Sequence, residues 1–208
     1  MAEELDTITT DGRSLRRSRN RDAVLDAVVA SFEEGDVDPS IDAVALRAGV
    51  SNRSIYRYFD HRDHLIRAAV GHALQRIGPD ATMTDIGVGS FEQRVEKFVD
   101  HRLRLYRSVA PITRAAKVAA ASEPIAAEEF EAGRVVLRQT LLEHFAEELD
   151  AMAADEQTRA LIGGELAFQF DAFEFLSSAT GDRSEEMRAV LVDHLRLHLG
   201  RLRHASPA

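Results

Sequence analysis

Apolar residues recur along this chain at intervals of three and four residues, the spacing that places side chains on one face of an α-helix. In the segment 18–34, for example, Val24, Val28 and Phe32 are four residues apart. No segment alternates apolar and polar residues over the length of a β-strand. The pattern therefore predicts an all-α protein of about nine helices.

Glycine and proline mark where these helices end. Gly35, Gly49 and the pair Gly78-Pro79 end the N-terminal helices. Later helices are predicted at 90–107, 111–121, 125–149, 157–179 and 184–202. We expect four regions: a disordered tail at 1–14, a three-helix domain with a helix-turn-helix at 15–60, a connecting helix at 61–77 and a larger C-terminal helical domain at 78–208.

Composition excludes several classes of protein. Of the 208 residues, 45% are hydrophobic and 29% are charged, as in ordinary globular domains. The absence of cysteine excludes disulfides, thiolate metal sites and cysteine chemistry. The N-terminus has no signal-peptide pattern, and no apolar run approaches the roughly 20 residues of a membrane helix. We expect a cytoplasmic protein without membrane contact.

The formal net charge of −9 at first disfavours a nucleic-acid partner, because DNA is a polyanion. The first 62 residues, however, contain nine arginines and no lysine. A basic face on an acidic body is compatible with DNA binding. We expect an N-terminal basic arm to contact phosphates or the minor groove, and its members are Arg13, Arg16, Arg17, Arg19 and Arg21.

Residues 40–59 have the residue types of a helix-turn-helix. Ala45 is small enough for two helices to cross closely, and Gly49 supplies the positive φ that the turn requires. Ser51 is placed to cap the second helix, and Ile55 points back into the core. Such a rigidly placed second helix, polar on its other face, is suited to the DNA major groove.

The polar face of that helix offers side chains that match base edges. Arginine pairs well with guanine and asparagine with adenine, whereas hydroxyls and other cations suit phosphate oxygens. The side chains expected at base edges are Asn52, Arg53, Ser54 and Arg57, and those expected at phosphates are Ser40, Tyr56 and Arg62.

The segment 21–70 resembles the N-terminal DNA-binding domain of the tetracycline-repressor (TetR) family. The similarity lies in the order and spacing of Ser31-Phe32-Glu33-Glu34-Gly35, Ala48-Gly49-Val50-Ser51, Ser54-Ile55-Tyr56 and Tyr58-Phe59. The resemblance implies a cytoplasmic homodimer, usually a repressor, whose C-terminal domain dimerises and holds a small-molecule effector. It also implies DNA contacts by Ser40, Ser51, Asn52, Ser54, Tyr56, Arg57, Tyr58 and Arg62.

Four positions of the recognition helix depart from the family pattern. Lysine and glycine are common where this chain has Asn52 and Arg53, an aromatic residue is common at Arg57, and histidine is common at Tyr58. The two arginines change the groups that the helix offers to bases. The operator sequence of relatives therefore does not carry over to this chain.

Apolar residues cover more than one face of the last two predicted helices, which implies burial on two sides. A two-fold, four-helix contact between subunits satisfies this pattern, and a fully buried helix in a monomer is the alternative. The residues expected at a dimer interface are Leu166, Phe170, Phe173, Val190, Leu191, His194, Leu195 and His198.

An effector pocket is expected to be apolar with a few polar anchors. Several polar and aromatic residues on the C-terminal helices are candidates, although long polar side chains on helices usually point to solvent. The candidates are His101, Arg104, Tyr106, Arg114, Phe130, His144, Gln169 and Phe173.

The histidine pairs His61 and His64, and His194 and His198, have spacings at which two side chains can share a metal ion. A zinc site needs three or four ligands, and Asp193 is the only acid near His194 and His198. We predict no metal, no cofactor and no catalytic residue. A metal-dependent helical enzyme is therefore disfavoured.

Two hypotheses about function follow. The first is a sequence-specific regulator of the repressor type, a homodimer on an inverted-repeat operator that releases double-stranded DNA when a small molecule binds. The alternative is a DNA-binding regulator with no small effector, such as an activator or a partner-controlled protein.

Overall fold

The computed structural model describes the backbone of residues 2–120, 124–181 and 183–200, and the side chains of residues 15–77, 82–118, 134–181 and 183–200. All regular secondary structure within these residues is helical, which confirms the predicted fold class. The described chain forms ten helices rather than about nine. In chain order they are α1 Ala2–Glu33, α2 Ile41–Ala48, α3 Asn52–Tyr56, α4 Arg62–Ala81, α5 Phe91–Ala120, α6 Pro124–His144, α7 Ala146–Asp150, α8 Ala154–Leu166, α9 Phe170–Thr180 and α10 Ser184–Leu199.

Some helix bounds differ from those that the sequence predicts. Helix α1 begins at Ala2, so residues 2–14, expected to be a disordered tail, lie within a helix, and Met1 lies outside the described residues. Helix α4 continues past Gly78-Pro79 to Ala81, and α5 runs through Pro111 without a break. The predicted helix at 157–179 is divided into α8 and α9.

The chain divides into two compact units. The first contains Met1–Gly78 together with Pro111–Ala127, and the second contains Pro79–Ala110 together with Glu128–Ala208. Helix α5 thus contributes residues to both units. The first stretch of the first unit ends at Gly78, and the segment Pro111–Ala127 groups with it.

The first unit has a core in which α1 packs against α2. Val24, Val28 and Phe32 of α1 are at most 1% exposed, which confirms the face predicted from their spacing of four residues. Val44 of α2 and Ile55 of α3 are buried to the same degree. Helices α2 and α3 are therefore held by the same apolar cluster as α1.

The second unit is centred on a chain of aromatic rings. Phe98 of α5 lies 5.5 Å from Phe145 and 5.2 Å from Phe168, measured between ring centroids. Phe173 lies 5.9 Å from Phe168 and stacks on Tyr106 at 4.5 Å. Pairs in these geometries add about 0.5–1.5 kcal/mol each beyond the burial of their area. The rings fix α5 against the segment that joins α6 to α7 and the segment that joins α8 to α9.

Candidate nucleic-acid interface

The turn between α2 and α3 is built on Gly49. Its N–H donates to the Leu46 carbonyl at 3.3 Å, and the Val50 N–H donates to the Ala45 carbonyl at 3.0 Å, the two bonds of a Schellman motif. Gly49 has φ +66°, and a Cβ added there meets no atom within 4 Å. The position therefore requires glycine for its backbone conformation and not for lack of space.

Serine hydroxyls fix the first residues of α2 and α3. Ser51 Oγ accepts from the Ser54 N–H at 3.2 Å, which confirms the predicted cap of α3. Ser40 Oγ accepts from the Ala43 N–H at 3.2 Å and caps α2 in the same way. Both serines are exposed, so their hydroxyls lie at the protein surface while they hold the helix ends.

Helix α3 has one buried side and one side open to solvent. Ile55 is 1% exposed and faces the core, whereas Asn52, Arg53 and Arg57 are exposed, and Tyr56 is 54% exposed. The Asn52 side-chain amide donates to the carboxylate of Asp42 on α2. Of the side chains predicted at base edges, Asn52, Arg53 and Arg57 are thus exposed, whereas Ser54 is half-buried with its Oγ 3.0 Å from Ser51 Oγ.

Arginines of α1 lie beside the end of α3. Arg57 Nη2 donates to the Tyr58 hydroxyl at 2.9 Å, and the Arg17 guanidinium carbon lies 6.0 Å from the centre of the same ring. The Arg21 guanidinium carbon lies 5.4 Å from the centre of the Phe59 ring. We call Arg17, Arg21 and Arg57 the arginine cluster. It joins the predicted basic arm to the recognition helix in one cationic surface, a proximity that the sequence alone does not reveal.

The rest of the predicted arm is exposed where it is described. Arg16 and Arg19 are exposed on α1, whereas the side chain of Arg13 lies outside the described residues. These side chains add positive charge along α1 ahead of the arginine cluster.

Arg62 forms hydrogen bonds within the protein that the sequence does not predict. Its Nε and Nη2 donate to the Pro39 carbonyl at 3.3 Å and 3.2 Å, and Nη2 also donates to the Asp38 carboxylate. Arg62 therefore ties the start of α4 to the segment before α2, next to Ser40. If Arg62 also contacts a phosphate, its guanidinium has to bind the phosphate in addition to Pro39 and Asp38.

Ion pairs also connect α1 to α2 and α4. Arg47 donates to both carboxylate oxygens of Glu34, and this partner lowers the pKa of the Glu34 carboxyl. Asp26 accepts from Arg76 at 2.8 Å and lies 2.9 Å from His72 Nε2. Exposed pairs of this kind stabilise a fold only slightly, but they neutralise acidic groups within the first unit.

In the second unit, two predicted effector residues share one hollow of about 380 Å³. His101 is buried and Arg104 is exposed, and both are on α5. We call this space the polar hollow, and its other lining residues are Thr82, Met83, Thr84, Asp85, Lys97 and Asp100.

The remaining predicted effector residues are not gathered there. Tyr106 and Phe173 stack in the core, with the Tyr106 hydroxyl on the Glu174 carboxylate. Arg114 is exposed on the part of α5 that groups with the first unit, and the side chain of Phe130 lies outside the described residues. The eight candidates therefore do not form a single pocket.

His144 is a core residue of the second unit. It is 1% exposed, its Nδ1 accepts from the Gly87 N–H at 3.1 Å, and its Nε2 lies 3.0 Å from the Arg94 carbonyl oxygen. Burial lowers the pKa of His144, and the positive charges of Arg94 and Lys97 lower it further. The side chain is thus a neutral connector between α6, α5 and the loop before α5.

Gln169 lies at a second, much smaller hollow that also contains Arg102, a residue that the sequence analysis missed. Arg102 follows Phe98 by four residues on α5 and is 4% exposed. The sequence does contain a signal for this burial: residues four apart lie on the same face of a helix, so Arg102 shares the apolar face of α5 with Phe98. We call this space the aromatic cleft, and its other lining residues are Phe98, Arg134, Leu137, Arg138, Leu141, Glu165 and Phe168.

The residues expected at a dimer interface separate into two groups. Phe173, Leu191 and Leu195 are at most 4% exposed within the core of the second unit, so they offer no surface to a partner. Phe170 is partly buried against that core. Leu166 and Val190 are 65% and 48% exposed, as an interface requires.

His194 and His198 lie where α10 crosses α8. The rings are 4.5 Å apart, His194 Nε2 lies 2.6 Å from the Gly163 carbonyl oxygen, and a Cβ on Gly163 would lie 2.3 Å from His198 Nδ1. The pair thus packs against a glycine of the same chain. In the part of the chain that the structure describes, no three His, Cys, Asp or Glu side chains are grouped as metal ligands.

None of the described helices is long and apolar enough to cross a bilayer.

Comparison with known proteins gives one family and a shared fold. Residues 24–69 match the family model described as bacterial regulatory proteins, tetR family. The solved structure of Flavonoid-responsive Regulator FrrA superposes with a TM-score of 0.58 at 20% identity, covering 88% of this chain and 97% of that chain. A TetR-family transcriptional regulator from Streptomyces coelicolor gives a TM-score of 0.48 at 23% identity, covering 88% and 98%. No curated protein sequence matches significantly.

Proposed function

Because residues 24–69 match the tetR family model, we propose that this chain is a DNA-binding transcription regulator of that family, a repressor which a small molecule releases from an inverted-repeat operator. The protein acts as a homodimer in the cytoplasm, and its task involves no catalytic step. The second unit supplies both the contact between subunits and the effector site.

The observation that supports this proposal most strongly is the open side of α3. A short helix that is capped by Ser51, anchored by Ile55 and exposed at Arg53 and Arg57 has the placement that a major-groove reader requires. The arginine cluster beside it adds positive charge for the phosphates on either side of the groove. Ser40 and Ser51, at the starts of α2 and α3, add hydroxyl and helix N-terminal donors.

Exposed apolar side chains on α8 and α10 support the homodimer. Ile162 and Leu166 are 58% and 65% exposed on α8, and Val190 and Leu197 are 48% and 56% exposed on α10. The His194 contact with Gly163 brings these two helices together within the protomer. A second copy that packs on the same surface forms a two-fold, four-helix contact.

Release of DNA requires an effector that binds the DNA-free conformation more tightly than the DNA-binding one, because equal affinity shifts no population. Helix α4 ends where the second unit begins, and α5 contributes residues to both units. Each of these helices therefore contains residues of both units. FrrA is described as a flavonoid-responsive regulator, and we propose that this chain also responds to a small molecule.

A regulator with no small effector is the second candidate. It is favoured by the closely packed aromatic core of the second unit, which leaves the aromatic cleft only about 20 Å³ of free space. This candidate retains the DNA-binding surface and the dimer, and it predicts that no small molecule changes DNA affinity.

Selection from a pool of random DNA duplexes tests the DNA-binding function. The purified full-length protein is expected to enrich an inverted repeat whose half-sites are centred about one helical turn apart, or at a similar groove-matched distance. Enrichment of no sequence, or of a sequence without two-fold symmetry, contradicts the proposal. The Ser51→Ala variant, which loses the α3 cap, serves as the weakened comparison.

A further inference from the structure

Arg102 is a buried cation whose hydrogen bonds are incomplete. Its Nη2 donates to the Leu137 carbonyl at 2.6 Å, and its guanidinium carbon lies 4.6 Å from the centre of the Phe98 ring. Nε and Nη1 are buried and have no hydrogen-bond partner among the described residues. Burial lowers the pKa of Arg102 to about 10, so the side chain still carries its charge at neutral pH.

Glu165, the carboxylate in the lining of the cleft, pairs with Arg138. Arg138 Nη1 donates to Glu165 Oε2 at 3.1 Å and lies 3.0 Å from Oε1, which is buried and accepts no hydrogen bond. No described carboxylate forms an ion pair with Arg102. A buried charge without a counter-ion is strongly unfavourable, and an anion that accepts from one of the two free nitrogens lowers that cost.

The aromatic cleft around Arg102 has apolar and polar walls. Phe98, Phe168, Leu137 and Leu141 form the apolar walls, and its free space of about 20 Å³ holds roughly one water-sized group. The polar walls are formed by Arg134, Arg138, Glu165 and Gln169, so arginines outnumber carboxylates in the lining. The space at Arg102 therefore admits the head group of a ligand, and an apolar body attached to it requires the walls of the cleft to move apart.

We propose that Arg102 binds the carboxylate of a small, apolar organic acid in the aromatic cleft. The inference rests on the proposed function in one respect: this acid is the effector that releases DNA. Arg102 is then the anchor that selects an acid over a neutral molecule of the same shape, through a charge-assisted hydrogen bond.

The polar hollow is a weaker candidate for this ligand. Its acidic residue Asp100 is paired with Arg188 at 2.6 Å, and Lys97 Nζ donates to the Val88 carbonyl at 3.3 Å. Arg104 is exposed to water there. The hollow thus lacks both a buried unpartnered charge and the aromatic walls that hold an apolar body.

Thermal unfolding of the full-length protein with matched probes tests the site. The probes are cinnamate, 4-phenylbutyrate and octanoate, each compared with its primary amide. At least one acid is expected to raise the Tm while its amide does not. The result that overturns the inference is a set of acids without effect, or amides that are as effective as the acids.

Two substitutions at neighbouring positions of α5 locate the effect. Arg102→Met is expected to remove the acid-dependent rise in Tm and to weaken binding of the acid about 10-fold or more, whereas Arg104→Met leaves both unchanged. Arg102→Lys retains a charge and is expected to retain part of the preference for the acid. Equal loss in Arg104→Met, or a response that persists in Arg102→Met, contradicts the assignment.

Stability without ligand separates a binding role of Arg102 from a merely structural one. Because its burial is uncompensated, Arg102→Met is expected to have the same Tm as the natural protein or a higher one. A clear fall in Tm indicates that the guanidinium holds the fold together and overturns the inference.

DNA binding by the same variants separates this inference from the proposed function. Release of the selected duplex by an acid from the natural protein, but not from Arg102→Met, supports both. An acid that binds through Arg102 without changing DNA affinity supports the anion site and contradicts the effector function. An acid that releases DNA equally from both proteins supports the effector function and overturns the assignment to Arg102.

Discussion

Gly49 shows how one residue sets the position of a whole helix. Its left-handed backbone conformation ends α2 and turns the chain so that Ser51, two residues later, caps α3. The turn itself has room for a side chain, because a Cβ would meet no atom within 4 Å. The only obstacle to substitution is therefore the positive φ.

We predict that Gly49→Ala lowers the free energy of unfolding by about 1–2 kcal/mol, the cost of left-handed backbone for an L-residue. Gly71, in the middle of α4, also has free space around it but has no positive φ. Gly71→Ala is therefore the control, and it is expected to be neutral or stabilising by about 0.5–1 kcal/mol. Urea denaturation at one protein concentration checks both values, and equal effects of the two substitutions contradict this account of the turn.

His144 makes the stability of the second unit depend on pH. Its neutral ring uses both nitrogens: Nδ1 accepts from the Gly87 N–H, so Nε2 carries the hydrogen that it donates to the Arg94 carbonyl. Protonation places a second N–H against that of Gly87 and breaks the bond. Burial accordingly lowers the pKa of His144 in the folded state.

A lowered pKa means that the unfolded chain binds this proton first. The contribution of His144 is fully present above its unfolded pKa of about 6.5 and is lost as pH falls from there toward its folded pKa. We predict a lower urea midpoint at pH 5.5 than at pH 7.5, and a smaller difference between the two pH values in His144→Gln. The same pH dependence in the variant assigns the effect to other groups.

At the scale of helices, the spacing of apolar residues predicts most of the fold. Glycine and proline predict the ends of the helices less well. The spacing of Val24, Val28 and Phe32 located the buried face of α1, and Gly49 with Ser51 located the turn and the cap of α3. These features are local, so a single sequence contains them.

Helix breaks depend on packing that a sequence does not display. Pro111 lacks an N–H and is expected to begin a new helix after a break that follows Arg107, yet α5 continues through it, and Ala110 and Ile112 on either side are buried at 5% and 4% exposure. Conversely, α8 and α9 separate without glycine or proline. Turn bonds at Phe168 and Gln169 place Phe168 in the aromatic core.

Long-range proximity was also beyond the sequence. Nothing in the chain indicates that Arg17 of α1 lies over Tyr58, or that Arg62 is engaged with Pro39. The eight effector candidates are predicted from polar and aromatic residue types, and the structure distributes those whose side chains it describes over the core, two hollows and the surface. Arg102 differs from them in having a buried guanidinium with two unpartnered nitrogens.

The crossing of α8 and α10 depends on the absence of a side chain at Gly163. A Cβ there would lie 2.3 Å from His198 Nδ1, so the ring or the helix has to move. We predict that Gly163→Ala lowers the free energy of unfolding by about 1–3 kcal/mol, the usual cost of overpacking. The double variant with His198→Ala is expected to recover most of this loss, and independent, additive effects in a double-mutant cycle contradict the contact.

At the scale of the whole molecule, charge and apolar surface are distributed unevenly. The net charge is −9, yet nine arginines lie within the first 62 residues, several of them around the open side of α3. Exposed leucine and valine side chains occur on α8 and α10. The first pattern fits an anionic partner, and the second fits a copy of the same chain.

The dimer proposal predicts that Leu166→Glu combined with Val190→Glu converts the protein to a monomer, because two charges are then buried at the contact. Leu74→Glu on α4, at a side chain that is 43% exposed, is the control and is expected to leave the dimer intact. Sedimentation velocity gives the mass of each variant. A double variant that remains dimeric places the interface on another surface.

The central claim is that the open side of α3 reads DNA, and fluorescence anisotropy with the selected duplex tests it most directly. Arg53→Ala is expected to raise the Kd by about 10-fold or more, since a bidentate arginine–guanine contact discriminates by about 1–3 kcal/mol. Arg183→Ala, an exposed arginine ahead of α10, removes the same charge from the other unit and is expected to change the Kd by less than about 2-fold. An unchanged Kd for Arg53→Ala, or an equal loss in both variants, contradicts the claim.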